Sequence, residues 1–243
     1  MLAAQDLTIA GRLNGVSARL RQGEVTVICG PNGAGKSSLL SCLAGLLAPA
    51  MGSVTLDQAS HTALPLRTRA QAIGYLPQQA ELAWDVSVET LVGLGRLPWG
   101  DRNPAAIDAA LVVMDLADLR HRPVSRLSGG ERARAMMARV LAGEPRWILA
   151  DEPLAALDLA HQLNLLARLR AAAGQGAGVV LVLHDLALAM NYADRVLVLN
   201  QGRLVQDGPP QQALAEAVIA DVWGTKVQWL GDSGARALAI LPD

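Results

Sequence analysis

Gly30-Pro-Asn-Gly-Ala-Gly-Lys36-Ser37 constrains the fold more than any other segment, because of what flanks it. Before it, Val25–Cys29 (VTVIC) is a near-continuous apolar run, which reads as a strand buried on both faces. After it, the chain reads as helix from Gly35 to about Leu47. Strand, glycine-rich turn and helix are the context that the phosphate-binding pattern G-x-x-x-x-G-K-[ST] requires. Gly30, Pro31, Asn32, Gly33, Ala34 and Gly35 form a cradle in which glycines let backbone N–H groups curl around a phosphate. The helix opening at Lys36, Ser37 and Ser38 adds its partial positive charge. Lys36 supplies an ammonium for the terminal phosphates, and the Ser37 hydroxyl suits Mg²⁺. Only two lysines occur against 19 arginines, so a lysine here runs against the chain's own composition.

Elsewhere the sequence alternates strands and helices. Leu2–Ile9 and Leu13–Leu20 read as short strands near a sheet edge, Trp147 to Ala150 and Val179 to Leu183 as buried strands. Leu157 to Ala172 is an amphipathic helix between the buried strands. Val196 to Leu199 and Leu204 to Val205 form a hairpin about an Asn200–Gly202 turn, and the tail pairs VQWL with ALAIL. Between about Gln79 and Ala142 no strand is evident, and Ile107, Leu111 and Met114 recur at helical spacing behind Pro104. The expected fold is α/β: a mostly parallel sheet with an antiparallel N-terminal edge. Residues 1–78 and 143–243 would form the core, and 79–142 an inserted helical subdomain.

Composition narrows the function classes. With 51% hydrophobic residues and 21 basic against 22 acidic, the chain can bury a core and is not a disordered one. No basic excess marks a nucleic-acid binder. Cys29 and Cys42 sit among apolar neighbours and read as core residues in a reducing compartment. The N-terminus lacks a signal-peptide pattern, and the longest apolar runs fall far short of the ~20 residues of a membrane span. The expected location is cytoplasmic, unless a partner holds the chain at a membrane.

Two further segments carry chemistry. Trp147-Ile-Leu-Ala-Asp151-Glu152-Pro is a buried strand ending in two carboxylates. Asp151 is placed to reach Mg²⁺, and Glu152 to polarise an attacking water as general base. His184 also follows a buried strand, so Lys36, Asp151 and His184 gather at strand carboxyl ends, where open α/β sheets bind ligands. In Leu127-Ser128-Gly129-Gly130-Glu131, Ser128 and Glu131 form a capping box. Capping does not account for Gly129 and Gly130, each costing a helix up to ~1 kcal/mol relative to alanine. A hydroxyl and two glycines at a helix start make a second anion site.

With these residues in view, the chain resembles the ATP-binding subunit of an ABC transporter from Leu2 to beyond Gly208. GPNGAGKS, ILADEP and LSGGE carry the resemblance. It implies ATP with Mg²⁺ held by Ser37, Asp151 and Gln78, the last of these in Tyr75-Leu-Pro-Gln78. It also implies a head-to-tail homodimer, in which Ser128, Gly129 and Gly130 of one protomer meet the γ-phosphate held by the other. The loop ending Ala156-Leu157-Asp158 would lie across that interface. The stretch from Leu82 to Trp99, with Gly95, Arg96, Pro98 and Trp99, is similar to importers of the iron-siderophore, haem and cobalamin group. That likeness implies a polytopic permease, a periplasmic binding protein and a peripheral position on the cytoplasmic face of the inner membrane. The rival from another class is a soluble ABC-type ATPase of iron–sulfur cluster assembly. Two departures stand out. No aromatic residue precedes Tyr75, where the family stacks one on adenine, and Arg12 is expected to stack there instead. Ala155 takes the place of a frequent serine.

Overall fold

A computed structural model of the chain describes residues 1–79 and 85–242. Strands β1 (Leu2–Ile9) and β2 (Leu13–Leu20) pair antiparallel and bury Leu2, Ala4 and Leu7 of one with Leu13, Val16, Ala18 and Leu20 of the other. Strand β3 (Val25–Cys29) is buried at every residue and leads through the glycine turn into helix α1 (Lys36–Leu43). Strands β4 (Met51–Leu56) and β5 (Ala59–Ser60) complete a four-stranded sheet ordered β2-β1-β4-β5. Helix α2 (Leu66–Ala72) and strand β6 (Ile73–Leu76) return the chain to the main sheet.

The described part of the following segment is helical: α3 (Val88–Gly93), a 3-10 turn at Leu94–Trp99, α4 (Pro104–Val113) and α5 (Gly129–Ala142). Its one β feature among the described residues is an isolated bridge between Ser87 and Pro123. Residues 80–84, which open the importer-like stretch, lie outside the described residues. Asn103 caps α4 through the Ala105 N–H, with Pro104 in the first turn. Gly95, Arg96, Pro98 and Trp99 tie this region together. Arg96 is buried, ion-paired to Asp101 and Glu144 and stacked 5.1 Å from the Trp99 ring. The Trp99 indole donates to the Gly143 carbonyl at 2.8 Å, and Arg67 of α2 donates to the Pro98 and Trp99 carbonyls.

Strand β7 (Trp147–Asp151), helix α6 (Leu159–Gly174), strand β8 (Gly178–Val182), helix α7 (Leu186–Tyr192) and the hairpin β9 (Arg195–Asn200) and β10 (Arg203–Gly208) follow. The six-stranded sheet runs β10-β9-β3-β8-β7-β6, parallel except for β10. Short helices α8 (Pro210–Ala213) and α9 (Glu216–Trp223) lead to a separate hairpin of β11 (Val227–Leu230) and β12 (Ala237–Ile240).

Alternation across the main sheet divides the core. Val27, Ile148, Val179 and Val196 face the helices α3–α7, whereas Ile28, Trp147, Val180 and Leu197 face α1 and the antiparallel sheet. Helix ends differ from the sequence expectation, and two of the differences have a visible cause. Helix α1 stops at Leu43 rather than Leu47, because Gly45 turns into the left-handed region. Helix α6 starts at Leu159 rather than Leu157, because the Asp158 carboxylate caps it through the His161 N–H.

Candidate functional site

The carboxyl ends of β3, β7 and β8 lie side by side, with Asp151 paired in register with Val182. From them rise the glycine loop, Asp151–Glu152 and His184. A cleft of about 390 Å³ there is lined by the loop from Asn32 to Ser38 together with Gly11, Arg12, Gln78, Glu152 and His184. Neighbours the loop cannot displace explain two of its three glycines, and the third, Gly33, takes a left-handed φ of 78°. A Cβ at Gly30 would overlap the Leu199 carbonyl, and one at Gly35 the Arg12 carbonyl. The Asn200–Gly202 turn, expected only to close a hairpin, also props the loop: the Gly202 N–H donates to the Ala34 carbonyl at 3.1 Å, and the Asn14 N–H to the Gly202 carbonyl at 2.8 Å. Its sequence signal was Gly202, whose left-handed φ of 77° permits the close approach.

Lys36 is buried, and its ammonium donates to the carbonyls of Gly30 and Pro31 at 2.8 and 2.9 Å. Burial lowers its pKa, while Glu152, Cys29 and Asp151 favour the charged form. Asp151 is buried and its pKa is raised, first by desolvation, against a hydrogen bond from the Ser37 hydroxyl. Its Oδ1 has no hydrogen-bond partner among the described residues. Glu152 takes a left-handed φ of 50°, a strained conformation for a non-glycine residue. Its carboxylate Oε1 meets His184 Nε2 at 2.6 Å, so these two residues form a direct pair. The sequence placed both on one rim but gave no sign of the contact.

Ser128 caps α5 in a complete capping box, its hydroxyl accepting from the Glu131 N–H and its own N–H donating to the Glu131 carboxylate. Ser128 and Gly130 are absent from the lining of the loop's cleft. Gly129 instead lines an adjoining cleft of about 260 Å³ with Gln78, Asp151, Glu152 and Ala155. Steric need within the chain does not explain glycine at 129, since a Cβ there would meet no heavy atom within 4 Å. Asp158 serves here as the α6 cap.

A family profile described as ABC transporter matches residues 13–155. The chain belongs to the ABC transporter family. This ABC ATPase is 42% identical over 243 residues to the hemin import ATP-binding protein HmuV of Rhodococcus jostii (strain RHA1), covering 97% of this chain and 83% of that protein. It is 43% identical over 237 residues to the HmuV of Streptomyces coelicolor, covering 95% and 84%. Among solved structures, an inward-facing ABC transporter described as of metal-chelate type superimposes with a TM-score of 0.83 at 26% identity, covering 99% of this chain and 96% of that one. A dimeric ATP-binding cassette in a post-hydrolysis state with ADP and Pi matches with a TM-score of 0.77 at 26% identity, covering 86% and 99%. The ABC ATPase binds and hydrolyses nucleotide. None of its described helices is long and apolar enough to cross a membrane.

Proposed function

We propose that this ATPase drives the uptake of haem. The observation that carries this reading is identity above 40% along nearly the whole chain to hemin import ATP-binding proteins. It favours transport over the soluble iron–sulfur assembly rival. The importer is then a head-to-tail homodimer on the cytoplasmic face of the inner membrane, held by a polytopic permease that a periplasmic haem-binding protein feeds. Residues 79–142 act as the inserted helical subdomain between the core of 1–78 and 143–243, and they carry motion to the permease.

The residues support definite roles. The loop Gly30 to Gly35 and Lys36, Ser37 and Ser38 hold the phosphates, and the Lys36 ammonium leaves the Gly30 and Pro31 carbonyls to meet them. Arg12 lines the same cleft and stacks on adenine. The donor set suits Mg²⁺, because Asp151 Oδ1 is buried without a partner, the Ser37 hydroxyl adjoins that carboxylate and Gln78 lines both clefts. Bound there, Mg²⁺ would neutralise charge on the terminal phosphates. Glu152 removes a proton from the attacking water, and His184, hydrogen-bonded to it, orients that carboxylate and the γ-phosphate. Ser128, Gly129 and Gly130 of one protomer close on the nucleotide of the other, which accounts for glycine at a position no neighbour in its own chain requires.

The test is uptake of radiolabelled haem by cells lacking this chain and complemented with it. Wild type should restore uptake and Lys36→Ala should not. Equal uptake with and without the chain, or restoration by Lys36→Ala, would refute the proposal.

A further inference from the structure

His184 stands immediately before α7, whose N-cap is Asp185, with the carboxylate accepting from the Ala187 and Leu188 N–H groups. A helix of seven residues, about 10 Å long, has little stability of its own and takes its position from what it touches. Its inner face is set by Leu186, Ala189 and Met190 in the core. Its far end is held by the C-terminal hairpin. The Asn191 side-chain amide donates to the Arg236 carbonyl at 2.8 Å and accepts from the Arg236 N–H at 2.8 Å, closing a two-bond ring on one residue's backbone. The same amide donates to the Ala187 carbonyl at 2.9 Å, locking its rotamer against the helix.

The hairpin is in turn anchored away from α7. The Trp229 indole donates to the Leu214 carbonyl at 2.8 Å, and the Trp229 N–H to the Glu216 carboxylate at 2.9 Å. Trp229 and Leu238 pack on the cluster that holds Leu186, Ala189 and Met190. Two strands alone are marginal in water, so these contacts hold the hairpin and make it a brace.

We infer that Asn191 is a positioning residue for hydrolysis: through it the C-terminal hairpin sets α7, and α7 sets the His184 ring against Glu152. The inference rests on the role proposed above for His184. Asn191 touches neither clefts nor loop, so its loss should spare nucleotide binding. A displacement of the ring on the order of 1 Å costs turnover about 10–100-fold.

The experiment combines steady-state ATPase kinetics with NMR of the histidine rings in the full chain, whose four histidines allow assignment by substitution. Asn191→Ala should lower kcat about 10–100-fold with KM for ATP unchanged. The His184 ring signal should move while those of His61, His121 and His161 stay. Arg236→Pro, which removes the N–H donor and leaves Asn191 in place, should give the same pattern and serves if Asn191→Ala does not fold. Unchanged kcat, an unmoved His184 signal, or a fall in affinity with all four rings shifting would overturn the inference. His184→Ala separates the two ideas. If that variant keeps wild-type turnover, the role of His184 fails, while the NMR comparison still decides whether the hairpin sets its ring.

Discussion

Glu152 reaches His184 because its backbone occupies a left-handed conformation at the end of β7, while Asp151 one residue earlier stays buried beside Ser37. On the roles proposed above, the two adjacent carboxylates serve different chemistry. Glu152→Gln keeps the shape and removes the base, so ATP turnover should fall at least about 100-fold with ATP binding retained, as measured by phosphate release and calorimetry. Arg12→Ala should weaken ATP binding about ten-fold, from loss of a stacking contact of about 1–2 kcal/mol; unchanged affinity in calorimetry would remove Arg12 from the base site. His61 offers a pH-dependent test. It is buried with neither ring nitrogen partnered among the described residues, and burial, reinforced by Arg69, depresses its pKa from 6.5 to about 4. Between those values the unfolded chain binds the extra proton, so stability falls as pH drops from 6.5 to 4 and is fully present above 6.5. His61→Leu should lack this component in urea unfolding at stepped pH; a wild-type pH slope would contradict it. The phosphate loop and the Ser128 capping box were legible in the sequence because each is a local pattern of spacing. The Glu152–His184 pair and the Lys36 bonds were not, because the first joins residues 32 apart in the chain and the second depends on the curl of the loop.

At the scale of elements, the buried parallel strands β3, β7 and β8 were legible because both their faces are covered and their runs are almost wholly apolar. The main sheet's hairpin and the tail hairpin were legible from their turns. Strands β4, β5 and β6 and helix α2 were not. Strand β4 exposes Met51 and Gly52, and α2 buries only Ala72, so neither shows an apolar period. The Gly95-Arg96-x-Pro98-Trp99 motif was noticed for its likeness, whereas its physical work is to join the 3-10 turn to α2 and to the end of α5. Close approach of backbones there requires glycine: a Cβ at Gly95 would overlap the Arg139 carbonyl inside α5. Gly95→Ala should therefore destabilise the chain by at least about 2 kcal/mol in denaturant unfolding. A neutral result would mean that the 3-10 turn moves freely off α5.

At the scale of the whole molecule, balanced charge and a core on both faces of the main sheet describe a folded ATPase, and its relatives by sequence are hemin import ATP-binding proteins. Fold and family followed from the sequence, since three spaced motifs and their strand context leave few alternatives. The cargo did not, because the motifs read in the sequence are those of nucleotide chemistry and do not distinguish one transported ligand from another. The most direct measurement is therefore purification of the tagged chain from native membranes in mild detergent, with mass spectrometry of the proteins that accompany it. A polytopic permease is expected in amounts near equal to this chain, with ATPase activity of that complex stimulated by a haem-loaded binding protein. Recovery with a soluble assembly factor, and no permease in the membrane fraction, would contradict it.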